Sequence, residues 1–235
     1  LIGRPAVIAA RIARAGLRFR PGVDVEVVDP ESDARYRDYW NDYQRLMGRH
    51  GVTPDMAKAL LRRSTTTIGA MMVRRGDADA MLCGLVGRFD VHLGHVRDVI
   101  GLKPGATTLA TLNALMLPQH TIFVTDTFVN EEPTAEELAE IAAMAAVEVR
   151  RFGLPPKVAF LSHSMFGSSD RPSARRMRRA HKLFAAACPD VECDGEMHGD
   201  AALSEEVRRT FLPDSTLKGA ANIFVMPNLD AANIL

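Results

Sequence analysis

Three polar stretches hold the residues most able to do chemistry. They are Ser162-His163-Ser164-Met165-Phe166-Gly167-Ser168-Ser169-Asp170-Arg171-Pro172, Asp194-Gly195-Glu196-Met197, and Met226-Pro227-Asn228-Leu229-Asp230-Ala231-Ala232-Asn233-Ile234. The first and third each follow an apolar run, Val158 to Leu161 and Ile223 to Val225. An apolar strand that opens into small polar residues is where a parallel α/β sheet binds its ligands, at the carboxyl ends of strands. The three stretches are therefore expected to share one pocket. Hydroxyls, Gly and a following helix suit an anion, because a helix N-terminus offers unpaired N–H donors. Arg171, Arg175, Arg176, Arg178, Arg179 and Lys182 continue along that helix. Guanidinium groups match phosphate with a planar fork of donors. A solvated basic face is the competing reading of these cations as a set.

Other candidates carry less. Ser162, His163 and Ser164 lack the G-x-S-x-G context of a nucleophile elbow, so hydroxyls bonded to local backbone are the expected role. His92 and His95 have H-x-x-H spacing beside Asp90 and Asp98, but there is no H-E-x-x-H and no third ligand at an obvious spacing, so no metal site is expected. Cys188, Cys193 and His198 form no recognisable ligand set, and burial is the default for such thiols. Asp194 and Glu196 project to opposite faces of an extended chain. One is expected to be buried against a cation while the other faces a cleft, in a structural role.

These stretches need elements to position them. Ala6 to Ala15 reads as a helix stopped by Gly16, and Val23 to Val28 as a strand. Asp33 to Met47 has Tyr36, Tyr39, Trp40, Tyr43, Leu46 and Met47 at helical spacing, a packed helix face. Thr53-Pro54 starts a helix expected to reach Arg75 and stop at Gly76. Met81 to Val86 reads as a buried parallel strand, and its end, Gly87-Arg88-Phe89-Asp90, as a ligand-facing loop. Thr107 to Met116 and Thr121 to Thr125 read as strands separated by Pro118-Gln119-His120. Thr134 and Glu137 form a capping box for a helix running to Phe152. From there strands at 158–161, 191–193 and 223–226 alternate with helices at 173–187 and 202–210, which implies a parallel sheet. Two α/β lobes are expected, residues 1–130 and 131–235.

Composition agrees with a globular protein. The 235 residues are 47% hydrophobic and 25% charged, and 29 Lys and Arg balance 29 Asp and Glu. That balance gives no global field for nucleic acid or membrane, and mean hydropathy is −0.04. No apolar run approaches the ~20 residues of a membrane span. Three cysteines without C-x-x-C suit a reduced, cytoplasmic protein. The chain starts at Leu1 rather than Met and stops where a new helix is expected to start, so it is expected to be a piece of something longer.

The ordered set K-V-A-x-L-S-x-S-x-x-G-S, D-G-E, and A-N-x-x-x-x-P-x-L-x-A-x-N-I resembles phosphate acetyltransferases. It is most similar to the phosphotransacetylase-like C-terminal domain of bacterial NADP-dependent malic enzymes. Val27-Val28-Asp29-Pro30, Leu46 to Pro54, and Arg88-Phe89-Asp90 with Arg97-Asp98-Val99-Ile100-Gly101 fit that second group. The resemblance implies a two-lobed, three-layer αβα fold of the isocitrate/isopropylmalate dehydrogenase kind, with mostly parallel sheets and a cleft between lobes. It implies acetyl-CoA, or a related acyl-CoA, as an effector. The residues it would place at that ligand are Ser162, Ser164, Gly167, Ser168, Ser169, Arg171, Arg88, Asn228 and Asp230. It also implies a homodimer or higher homo-oligomer, and a parent that oxidatively decarboxylates malate with NADP and a divalent metal held in a separate catalytic domain.

The chain departs from the active transferases at two places. Their H-S/T-x-x-D-T-x-R-P segment aligns with Gly87 to His95 here, placing Gly94 at the arginine and His95 at the proline. A second family arginine aligns with Met47. Removing such preorganised donors typically costs about 10²-fold or more in rate. The transferases' later Ser, Arg and Asp segment, V-x-D-L-S-R-G, has no counterpart in this chain. The expectation is thus a regulatory acetyl-CoA-binding domain with no catalytic residues of its own. A working transferase, making acetyl phosphate and CoA from acetyl-CoA and phosphate, is the alternative.

Overall fold

Runs such as Val158 to Leu161 are apolar at every position, so a strand made from them must be covered on both faces. The computed structural model describes residues 1–235 and provides that cover in the second of two compact units, residues 1–101 and 102–235.

The second unit holds the whole sheet. Its strands are β1 (Asn113–Met116), β2 (Thr121–Thr125), β3 (Lys157–Leu161), β4 (Glu192–Met197) and β5 (Ile223–Val225). Their order is β1-β2-β5-β3-β4, parallel except for the antiparallel β1. Val158, Phe160 and Val225 pack on the helices α6 (Ala135–Arg151) and α7 (Pro172–Ala187). Ala159, Leu161 and Phe224 face the opposite way, onto α8 (Gly199–Leu203) and α10 (Leu229–Ile234). A short helix α9 (Glu205–Phe211) follows α8. The sheet thus has helices on both faces, as its residue pattern requires. The capping box forms as expected, with Thr134 and Glu137 satisfying each other's backbone donors.

The expected domain change near residue 130 contrasts with the division after Gly101. Segment 102–130 carries β1 and β2, and β2 pairs with β5. The strand expected over Thr107 to Met116 is also shorter. Thr107 is tied by its N–H to Glu140 at 2.7 Å, and Thr111 by its hydroxyl to Asp126 at 2.6 Å, so only Asn113–Met116 joins the ladder.

The first unit is helical: α1 (Pro5–Arg14), α2 (Tyr36–Met47), α3 (Pro54–Arg63), α4 (Thr65–Arg75) and α5 (Phe89–Val99). Its core gathers Tyr39, Tyr43, Leu61, Ile68, Met71 and Val99. The single helix expected from Pro54 to Arg75 is two helices. Ser64 leaves the helical region at φ −109°, ψ 96°, and its hydroxyl accepts the Thr67 N–H at 3.1 Å. A hydroxyl that caps a new helix competes with continuing the old one.

Both strands expected in this unit are corrected. Residues 20–25 turn on themselves, with the Asp24 N–H donating to the Arg20 carbonyl and Gly22 to Val25, so Val23 to Val28 forms only isolated bridges. Met81 to Val86 has no strand beside it and forms no ladder, and Leu82, Leu85 and Val86 are exposed. No helix of the chain is long and apolar enough to cross a membrane.

The register between β3 and β4 slips once. Phe160 pairs with Gly195 and Leu161 with Met197, leaving Glu196 as the extra residue. Gly195 sits there at φ +145°, and a Cβ would lie 2.8 Å from the Phe160 carbonyl oxygen. Gly195→Ala is therefore expected to cost about 2 kcal/mol or more of stability. Urea unfolding checks this, and an unchanged midpoint would refute it.

Candidate functional site

The helices after β3 and β5 leave on opposite faces of the sheet, and these strands are neighbours. Such a switch in direction opens a crevice at the carboxyl ends of the strands. Residues 162–171 follow β3 there, and residues 226–228 follow β5.

The loop after β3 closes around a carboxylate of its own chain. Glu196 is completely buried. Its Oε1 accepts the Ser164 hydroxyl at 2.7 Å, the Gly167 N–H at 2.9 Å and Nη2 of Arg178 at 3.0 Å, while Oε2 accepts Nε of Arg178 at 3.0 Å. The Glu196 carbonyl also accepts the Phe166 N–H at 2.8 Å. Phe166 and Gly167 both adopt positive φ, +46° and +96°, which turns their N–H groups inward. Burial by itself would raise the Glu196 carboxyl. The Arg178 pair, the Ser164 hydroxyl and the Gly167 N–H outweigh it and hold the group below its ordinary value of 4.5.

The remaining donors are mostly spent within the loop. Ser162 Oγ accepts the Ser164 N–H, Ser168 Oγ that of Met165, Ser164 Oγ that of Ser169, and Ser169 Oγ that of Arg171. These donors hold the side chain of Glu196, and Arg178 is the cation that pairs with it. Ser162, Ser164, Gly167, Ser168 and Ser169 do come together, as parts of this closed network.

The basic helix divides in two. Arg176 donates to the Pro227 carbonyl at 2.9 Å and pairs with Glu132 at 2.7 Å, and Arg179 pairs with Glu136. Arg171, Arg175 and Lys182 are exposed, and no partner engages their side chains. Their i, i+4, i+11 spacing puts them on one side of α7. Asn228 caps α10 by accepting the Ala231 N–H at 3.0 Å and donates to Glu132 at 2.8 Å, while Asp230 is exposed in the first turn. Arg88 lies in the first unit, exposed and paired with Asp90.

Asp194 is buried as well, where a cleft-facing group was possible. It accepts the Ser215 hydroxyl at 2.6 Å, and Ser215 in turn accepts Nε of Arg208 at 3.0 Å. Arg208, completely buried, donates to the carbonyls of Ala201, Leu217 and Gly219. Sequence reading singled out neither Arg208 nor Arg178 as the partner of this acidic pair. It also missed Asp126, at the end of β2. That carboxylate accepts the hydroxyl of Thr111 and the N–H groups of Thr111, Phe128 and Asn130, which fixes the loop beside residues 227–233.

The other candidates settle into packing roles. His92 bonds Thr66 through Nδ1 and the Val86 carbonyl through Nε2, both at 2.8 Å. Burial pushes the Cys193 thiol up to about 11, far from a reactive thiolate. No group of three or more His, Cys, Asp or Glu is arranged to hold a metal ion. Near the two departures from transferases, Arg45, Arg88 and Arg97 each pair with a neighbouring carboxylate, Asp42, Asp90 and Asp98. A cavity of about 350 Å³ is lined by Gly3, Arg4, Glu31, Arg62 and Thr65, all of the first unit.

The family described as phosphate acetyl/butaryl transferase matches residues 1–235. An NADP-dependent malic enzyme of Escherichia coli is 54% identical over the whole chain, which spans 31% of that enzyme. A phosphate acetyltransferase of Nitratidesulfovibrio vulgaris is 30% identical, with 32% of its length covered. The chain therefore spans about a third of the length of these relatives. Among solved structures, a phosphotransacetylase from Streptococcus pyogenes superposes with a TM-score of 0.87 at 28% identity, over 99% of this chain and 70% of that one. EutD phosphotransacetylase from Staphylococcus aureus gives 0.86 at 26% identity, with the same coverage.

The Glu196 network sets two expectations. A hydroxyl donating to a buried carboxylate contributes about 2 kcal/mol, so Ser164→Ala is expected to lower stability by that order in urea unfolding. Because the folded pKa of Glu196 lies below its unfolded value of 4.5, its contribution is full above 4.5 and fades as pH falls through the folded pKa. Glu196→Gln is expected to flatten the acid limb of the stability curve, with the part due to Asp126, also held low, remaining. An acid limb identical to that of the unsubstituted chain would refute the assignment.

Proposed function

The chain belongs to the phosphate acetyl/butaryl transferase family, and from that footing we propose that it is a regulatory, acetyl-CoA-binding, phosphotransacetylase-like domain of a malic enzyme. The parent would oxidatively decarboxylate malate to pyruvate with NADP and a divalent metal, both held outside this chain, in the cytoplasm. The observation that carries the reading is the spent loop. Its donors hold Glu196, while Arg171, Arg175 and Lys182 stand unpaired on the adjoining helix. Cations beside a rigid loop suit the pyrophosphate and 3′-phosphate of CoA without supplying a reaction centre. Gly94 and Met47, at the positions of two transferase arginines, support binding without transfer. The higher identity to malic enzymes than to phosphate acetyltransferases supports the choice of parent.

Regulation requires acetyl-CoA to prefer one of two states of the parent. The expected sign is inhibition. A parent lacking this domain but still inhibited by acetyl-CoA would sink the regulatory reading.

A working phosphate acetyltransferase is the second reading, supported by the likeness to solved phosphotransacetylases. Calorimetric titration of acetyl-CoA in phosphate buffer separates the two. A saturating isotherm without continuing heat is expected, whereas steady, phosphate-dependent heat means turnover. Arg171→Ala and Arg175→Ala are each expected to weaken binding about tenfold, one charge-assisted hydrogen bond apiece, with circular dichroism unchanged. Unaltered affinity in the double variant would remove the helix from the site.

A further inference from the structure

The cations of α7 that remain free lie in a row. Arg171, Arg175 and Lys182 are exposed, and no ion pair or hydrogen bond engages their side chains. Asp170, next to Arg171 in sequence, pairs instead with Arg178 at 3.5 Å. A helix rises ~1.5 Å per residue, so Arg171 and Arg175 stand about 6 Å apart along α7 and Lys182 about 10 Å farther on. That spacing suits the phosphates of one adenosine nucleotide, two in a 5′-pyrophosphate and one on the ribose.

CoA is not alone in carrying that set of charges. Its adenosine 5′-pyrophosphate bears a 3′-phosphate, and NADP(H) bears a 2′-phosphate on the same framework. Telling the two positions apart requires a donor fixed at the ribose. The loop after β3 turns such donors on itself. The Ser164 hydroxyl and the Gly167 N–H go to Glu196, and the N–H groups of Ser164, Met165, Ser169 and Arg171 go to serine hydroxyls of the loop. What faces a ligand is three long side chains, whose torsions let them follow a phosphate moved by one ring carbon.

We propose that Arg171, Arg175 and Lys182 bind NADP(H) as well as acyl-CoA, through the ribose-phosphorylated adenosine diphosphate that the two share, and that the two ligands exclude each other. The proposal rests on the reading of these cations as the place of CoA's phosphates, and it widens the ligand class of that site.

Two consequences separate this site from a general anion patch. NAD(H) has the pyrophosphate but no ribose phosphate, so it loses one charge-assisted contact, about tenfold in affinity. Nucleotides phosphorylated at the 2′ and at the 3′ position bind alike, because charge is read and ring position is not. NADPH is also the product of the oxidation proposed for the parent. The domain then responds to the ratio of acyl-CoA to NADPH, since each ligand lowers the apparent affinity of the other at a shared site.

The test titrates NADPH into the 235-residue chain and follows the fluorescence of its dihydronicotinamide ring. Binding is expected to saturate, with NADH about tenfold weaker. Acetyl-CoA is expected to displace NADPH, and adenosine 2′,5′-bisphosphate and adenosine 3′,5′-bisphosphate to displace it equally well. Arg171→Ala combined with Arg175→Ala is expected to weaken NADPH and acetyl-CoA together by about 100-fold, two contacts of tenfold each, with circular dichroism unchanged. A chain that binds acetyl-CoA but not NADPH would overturn this proposal and leave the acyl-CoA reading standing. So would equal binding of NADH and NADPH, displacement by only one of the bisphosphates, simultaneous binding of NADPH and acetyl-CoA, or an NADPH affinity kept in the double variant. A chain that does not bind acetyl-CoA sinks the acyl-CoA reading and the shared site with it.

Discussion

A buried carboxylate with nowhere to go but into its own protein governs the second unit. Glu196 lies outside the β3–β4 register and fully inside the fold, where an unpaired charge would be prohibitive. Its partners come from two other elements, Ser164 and Gly167 from the loop after β3 and Arg178 from α7. Satisfying one carboxylate therefore fixes the shape of the loop, the start of α7 and the slip in register together. Arg178 reaches the Ser169 carbonyl at 2.8 Å as well, so the same side chain closes the far end of the loop.

Asp194, two residues earlier, anchors a different part of the unit. It reaches Arg208 through Ser215, and Arg208 gathers the carbonyls of Ala201, Leu217 and Gly219. Asp-Gly-Glu thus works as a double anchor, one acid to each of two buried or half-buried arginines. Gly195 between them is confined by the Phe160 backbone. A buried ion pair such as Arg178 with Glu196 adds little net stability compared with apolar packing but tolerates few alternatives, because each unpaired partner is costly. The rigidity of the loop follows from that intolerance, while Arg171, Arg175 and Lys182 stay exposed on the adjoining α7.

Family likeness and local chemistry point to different conclusions about activity. The chain superposes on phosphotransacetylases over nearly its whole length. Near Met47 and Gly94, Arg45, Arg88 and Arg97 each pair with a carboxylate close in sequence, while no ion pair engages Arg49. Fold and site chemistry are separable, so likeness in fold does not by itself fix an activity.

Local signals alone determined much of this protein. The cap at Thr53, the capping box at Thr134 and Glu137, the stop at Gly76 and the strands at 121–125 and 157–161 all rest on hydrogen bonds and apolar patterns spanning a few residues. The order of motifs was also enough to identify the family. Tertiary structure decided the rest. Met81 to Val86 is as apolar as any strand of the sheet, but a strand exists only with a neighbour to pair with, and none lies beside it. Ser64 ended one helix and capped the next, since a hydroxyl can serve either side of a junction. The acidic pair was visible in the sequence, while its partners at 178, 208 and 215 were not. A salt bridge depends on separation in space, and nothing in the spacing of a basic helix says which of its arginines will turn inward to meet a buried carboxylate.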